Sequence, residues 1–472
     1  MAAGPLSVDV RSFQVGFGDC FLVSFRYERR TRHMLVDFGS TDLPTTRGKG
    51  SPGATASVEE HLTRVAREIA AVCGRDGLAV LVASHRHADH ISGFSTTGRG
   101  GGPGAIIRAL RPRVVIQPWT EDPRAARDAR RATTESERAY VRGLGAMNAI
   151  AEEMVRRSAA PVRGLSQRAL SQLGFLGRTN VANRSAVENL QAMGRAPGAR
   201  AVWARHGTDL RLGRILPGVR VDVLGPPDLT QTEAIRRMRS ADAAEFWHLA
   251  SVAMTAGRGR PSGRRRAAAL PAEVRWFCDR LEKADSAHLL EIVRQLDREL
   301  NNTSLILLIE ACGRRLLFPG DAQLEPWLYA LEDAKDAPTT RERLAGVDVY
   351  KVGHHGSLNA TPRRTLWSLF RKRGRPGRDR LHSLLSTKAG KHGDPRSATE
   401  VPRRTLVEAL ERETILSDTS KLSTSGDAVR CHLLRVTADS IEREVVQPPG
   451  RGGSSSRRPA GAPRRGPRGG PR

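Results

Sequence analysis

From residue 7 onward the chain sets short apolar runs against turn residues. VDVRSFQV, then CFLVSFRY behind the Gly-rich GFGD, then HMLVDFG are rich in Val and Phe and end in turn chemistry, which predicts three strands. The period then changes: in SVEEHLTRVAREIAAV the apolar positions recur at helical spacing, and Ser57 with Glu60 makes a capping box at its start. LAVLVAS reads as a buried strand and RVVIQPW (113–119) as another. Residues 122–200 read as helical and strongly charged, VRVDVLGPP (219–227) returns to strand and turn, and a second helical stretch covers about 231–300. NNTSLILLIEACGRRLLFPGDA predicts a hairpin turning at Cys312 and Gly313, and VDVYKVGHHGS a strand running into a His-rich loop. HSLLST (382–387) is a further strand and EVPRRTLVEALERE a final helix. The fold class is therefore α/β: one domain over 1–447 with helical insertions at about 122–200 and 231–300, its site expected where strands end.

Composition adds a partner class. The net charge of +27 comes mostly from Arg and favours anionic partners, nucleic acid among them, although general over-use of Arg and Ala would give the same number. From residue 448 the chain reads PPGRGGSSSRRPAGAPRRGPRGGPR, which has no means of burying a core; residues 448–472 are expected to be a disordered tail, either a loose polyanion binder or an inert solubilising segment. Five scattered cysteines without a CxxC pair suggest neither a disulfide framework nor a thiolate metal site. The start lacks a charged and an apolar leader region, and no apolar run reaches the roughly 20 residues of a membrane span, so a soluble, cytoplasmic protein is expected.

The densest chemistry is SHRHADHISGF (84–94), directly behind an apolar strand. Imidazole and carboxylate suit a borderline-soft cation such as zinc, with manganese and iron also accepted. In an extended segment His85 and His87 point the same way and can grip one ion, while Asp89 and His90, past the bend, reach a second. Asp321 behind LLFPG, and His354 and His355 behind VDVYKVG, stop other strands in the same manner. Ser84 and Ser357 lack the base and orienter of a nucleophilic triad, so the nucleophile is expected to be a water activated by the metal, with Asp89 orienting it. Asp37 and Ser357 are candidates to hydrogen-bond a ligand imidazole.

HxHxDH (85–90), FPGD (318–321) and GHHGS (353–357), in this order and each behind a strand, resemble the metallo-β-lactamase superfamily of hydrolases. QVGFGDCFLV (14–23), LVDFGS (35–40), NNTSLILL (301–308) and KVGHHGS (351–357) look most like the metallo-hydrolase domain of the competence protein ComEC, without its membrane part; the resemblance spans about 7–120 and 215–430. It implies an αββα sandwich of two mixed sheets flanked by helices, and one or two zinc ions: His85 and His87 on the first, Asp89 and His90 on the second, Asp321 bridging, and one histidine of the HHG pair completing the second, His354 being the expected one as the first after the strand. His355 is then placed beside the ligands or at the substrate. The third histidine of the first ion is not evident, and His206 in WARHGTDL is the candidate. Where ComEC-like chains tend to carry an Asn, a Tyr and a Gly-His-Pro, this chain reads AGKHGDPRSATEVP, which leaves Lys391 and His392 to meet an anionic substrate or face solvent. The resemblance and the charge together imply phosphodiester cleavage in DNA or RNA. Two alternatives stay open: hydrolysis of a small ester or phosphoester, and an effector module of a bacterial defence or competition system whose helical insertions bind a protein partner.

Overall fold

Fourteen strands are seen in the computed structural model, which describes residues 4–45, 57–98, 100–122, 184–228, 231, 301–357, 361–391, 400–422 and 428–446. Most of the helical stretches expected at about 122–200 and 231–300, the tail 448–472, and His392 lie outside the described residues. In chain order the strands are β1 (Ser7–Phe13), β2 (Cys20–Arg26), β3 (Thr31–Phe38), β4 (Val80–Val82), β5 (Val114–Pro118), β6 (Arg200–Ala204) and β7 (Arg220–Gly225). They continue as β8 (Ile306–Ala311), β9 (Arg314–Phe318), β10 (Val349–Lys351), β11 (His382–Leu385), β12 (Ile415–Asp418), β13 (Cys431–Val436) and β14 (Ile441–Val446).

They form two mixed sheets, one of eight strands in the order β14-β13-β1-β2-β3-β4-β5-β6 and one of six in the order β12-β11-β10-β9-β8-β7. In each, an antiparallel half passes into a parallel half: β3 to β6 run parallel in the first, β9 to β12 in the second. The helices are α1 (Val58–Cys73), α2 (Ala88–Ile91), α3 (Pro103–Ala109), α4 (Arg184–Gly194), α5 (Leu324–Leu328), α6 (Ala337–Ala345) and α7 (Arg404–Glu413).

Strand alternation divides the apolar residues among three cores. Phe21, Val23 and Phe25 of β2 pack between the sheets with Leu307 and Ile309 of β8 and Leu316 and Phe318 of β9. The intervening Leu22, with Leu35, Leu81 and Val115, packs against Leu62, Val65 and Ile69 of α1 and Leu190 of α4. Ile306, Leu308, Leu317 and Tyr350 pack against Trp327, Leu344, Leu406 and Leu410 on the far side. The chain is thus an α/β sandwich with helices on both outer faces, held by many fully buried side chains worth about 1.5–3 kcal/mol each. No helix among the described residues is long and apolar enough to cross a membrane.

The expected elements recur with shifted limits. The capping box at α1 is present, Glu60 N–H donating to Ser57 Oγ and Ser57 N–H to Glu60 Oε2. LAVLVAS contributes only Val80–Val82 as strand; ahead of it Leu78 gives its N–H to Leu110 O and Ala79 to His33 O of β3. RAVWA forms β6, an edge strand, at a position expected to end a helical stretch. Beyond the last expected helix, three further strands, β12 to β14, complete both sheets.

Candidate metal centre

Because β2 runs against β3, Cys20 pairs with Phe38, and the entry to β2 and the exit of β3 share one sheet edge with the exit of the parallel β4. Leu305 N–H donates to Ser84 O, which ties the same edge of the second sheet to this one. Onto this common edge the chain delivers Asp19 before β2, Asp37 at the end of β3, His85 to His90 after β4, Asp321 after β9 and His355 after β10. The side chains of Asp19, Asp37, His85, His87, Asp89, His90, Asp321 and His355 are all buried, His90 and Asp19 completely.

Local sequence makes that crowding possible. Gly39 lies so close to the start of α2 that a Cβ would sit 2.6 Å from Ala88 O, Asp89 C and His90 N. Asp37, His354 and His355 adopt left-handed φ of 56°, 44° and 50°, a conformation that costs a non-glycine residue about 1–3 kcal/mol and concentrates at functional sites.

The side chains interlock. Asp37 accepts from Ser84 N–H at 2.6 Å and from Ser84 Oγ at 2.7 Å, and its Oδ2 lies 2.9 Å from His90 Nδ1, which aims His90 Nε2 at Asp321 Oδ2, 3.0 Å away. His355 Nδ1 meets Ser386 O at 3.0 Å, leaving Nε2 3.0 Å from Asp89 Oδ2 and 3.7 Å from Asp321 Oδ2. His85 Nε2 and His87 Nδ1 face each other at 3.0 Å. Among the described residues three sets of potential ligand atoms lie within 4.8 Å of one another: His85, His90 and Asp321; Asp89, His90 and His355; Asp19, Asp37 and His90. These buried imidazole and carboxylate groups could hold a metal ion, and Asp89 Oδ1, buried with no hydrogen bond among the described residues, is an acceptor in want of a cation.

The electrostatics differ from one histidine of the cluster to the next. Burial, with the neighbouring His90 and His87, drives the pKa of His85 well below its usual value, which leaves the ring neutral as a ligand must be. At His90 and His355 burial also pulls the pKa down, but Asp321 and the other surrounding carboxylates more than offset it and the net shift is upward. Burial raises Asp89 and Asp321, yet the hydrogen bond from His355 to Asp89, and the charges of His90 and Lys351 around Asp321, hold both below the ordinary carboxylate range.

The expected residues are distributed as follows. His85, Asp89, His90 and Asp321 converge, His87 touches His85, and Asp37 supports His90. Of the paired histidines it is His355, expected beside the ligands, whose ring enters the cluster. The consecutive left-handed residues turn it inward, while His354, expected as the ligand, gives its backbone N–H to Asp321 Oδ1 at 3.0 Å. His206 lies elsewhere, its ring nitrogens 2.9 Å from Leu224 O and 2.9 Å from Asp336 Oδ1. Ser84, expected to lack a base, has Asp37 and His85 Nδ1 (3.1 Å) in reach, but it is buried and serves to orient them. Ser357 closes the turn by donating its N–H to His354 O, and Lys391 pairs with Asp42 at 2.9 Å beside Lys388. Two site residues escaped the sequence reading: Asp19, signalled only by the glycines of GFGD, and Lys351, a lysine closing an apolar strand.

No family model matches the chain, and no curated protein matches it.

Proposed function

We propose that this chain is a metal-dependent hydrolase of the metallo-β-lactamase type, acting on phosphodiester bonds of DNA or RNA. The observation that carries the reading is the convergence of the HRHADH segment, Asp321 and His355 on one buried cluster at the edge shared by two half-parallel sheets. His85, Asp89, His90, Asp321 and His355 would hold the ion, with His87 beside His85. Zinc is the default for such N and O donors, and manganese or iron(II) would be accepted. When bound, the ion supplies Lewis acidity and a water acidified towards neutral pKa. The chain's own residues orient: Asp37 and Ser84 would fix the rings of His90 and His85, Ser386 O would fix His355, and Asp89 would orient the water.

The polyanion is favoured by the net charge of +27 and by the Arg-rich tail. The test is cleavage of labelled single- and double-stranded DNA and RNA by the metal-loaded full chain, beside a neutral aryl ester and an aryl phosphodiester. Nucleic-acid cleavage abolished by Asp89→Ala, with binding retained and steeply salt-dependent, supports the reading. Turnover of the small ester alone, insensitive to salt, overturns its substrate and leaves the hydrolase.

A further inference from the structure

Lys351 closes β10 on the side facing the other sheet and is only 2% exposed. An ammonium group has three protons to give, and three oxygens surround this one: Gly320 O at 2.9 Å, Asp321 Oδ1 at 3.2 Å and Asp19 Oδ2 at 2.5 Å. The pairing is also selective. Lys351 and the His354 N–H both occupy Asp321 Oδ1, so Oδ2 is the oxygen turned to His90 and His355. Asp19 in turn is anchored by its N–H to Asp89 O and receives the Gly39 N–H on its own carbonyl, so one ammonium couples the second sheet to α2, which holds Asp89.

Four carboxylates, those of Asp19, Asp37, Asp89 and Asp321, are buried together here. Uncompensated buried charge is strongly destabilising, and unlike the ring protons of histidine ligands, the ammonium is not displaced when an ion arrives. We propose that Lys351 is a resident cation of the centre: it holds Asp19 and Asp321 in position and offsets their charge, so the ligand set stays assembled before an ion binds and after it leaves. The inference rests on the reading of the cluster as a metal centre and adds a positioning residue to it.

Charge rescue tests it. Lys351→Met keeps the length of the side chain and deletes the charge; Lys351→Met/Asp19→Asn deletes one negative charge with it. Thermal melts of the full chain in chelator, and again with added zinc, are compared with wild type. The proposal expects Lys351→Met to lower the chelated melting temperature by at least about 5 °C, the double variant to recover at least about half of that, and zinc to stabilise Lys351→Met more than wild type. Should the single variant fail to fold, a folded double variant supports the proposal and an unfolded one overturns it. Zinc binding by wild type together with a Lys351→Met protein that melts like wild type, or a double variant that melts lower still, overturns this proposal alone. A wild type that binds no zinc overturns the metal-centre reading and this proposal with it.

Discussion

His355 Nε2 stands 3.0 Å from Asp89 Oδ2 across a separation of 266 residues, and this contact closes the cluster between the two sheets. The neighbouring His354 reaches the cluster through its backbone. His355→Ala should therefore lower metal affinity by at least about tenfold while His354→Ala changes it little. Titration of each chelated variant with zinc decides the point; equal losses would contradict the assignment.

Asp37 bears on two rings at once, through Ser84 and through His90 Nδ1. Asp37→Asn can keep the left-handed backbone, which asparagine tolerates, but the amide no longer accepts from both partners. Metal affinity should fall about 10- to 100-fold with only a small change in chelated stability. Zinc titration and melts of the same preparation separate the two effects.

Gly39 is a close-approach position rather than a loop position. In Gly39→Ala the methyl meets the Ala88–His90 backbone at 2.6 Å, which cannot yield as a flexible side chain does. The expected cost is about 1–3 kcal/mol in denaturant unfolding, with weakened metal binding. Gly213→Ala, at a glycine outside the left-handed region where a Cβ meets nothing within 4 Å, is the control without collision.

Arg86, between His85 and His87, makes a two-pronged pair with Glu121 at 2.8 and 2.7 Å. Arg86→Met strands a buried carboxylate and should cost about 3–5 kcal/mol, most of which Arg86→Met/Glu121→Leu recovers. Chemical denaturation of the two variants measures it, and a double variant no better than the single would contradict the pairing argument.

Buried histidines outside the centre, His33 and His382 among them, weaken the fold in acid. Burial lowers the pKa of His33 and of His382 from 6.5 to about 4 each. Between these values the unfolded chain binds protons that the folded chain refuses, so the contribution of these two residues is full above pH 6.5 and declines as pH falls towards 4, by at most about 3 kcal/mol per residue. Melts of the chelated protein from pH 7.5 to 4.5 should show it, and His33→Gln should flatten the slope.

How much of this was legible in the sequence follows the physics of each element. Strands that are apolar on both faces, such as β2, β8 and β9, and the capped, amphipathic α1 stood out because pattern alone specifies them. β6 and β14 did not: they are edge strands, β6 half-exposed and β14 largely exposed and charged, and their pairing is decided by neighbours distant in sequence. The cluster was visible as HRHADH, GD and HHG because ligands crowd at strand ends. The choice of His355 over His354 was hidden, since it depends on two consecutive left-handed residues. Asp19 and Lys351 were hidden because each acts through a partner on the other sheet.

The most direct measurement is the metal content of the full chain after loading with zinc and removal of the excess, with Asp321→Ala and His90→Ala alongside. Wild type should hold about one to two ions per chain, and both variants should lose at least about tenfold. Wild-type protein that retains less than about a tenth of an ion per chain, or variants that bind as wild type does, would contradict the metal-centre reading.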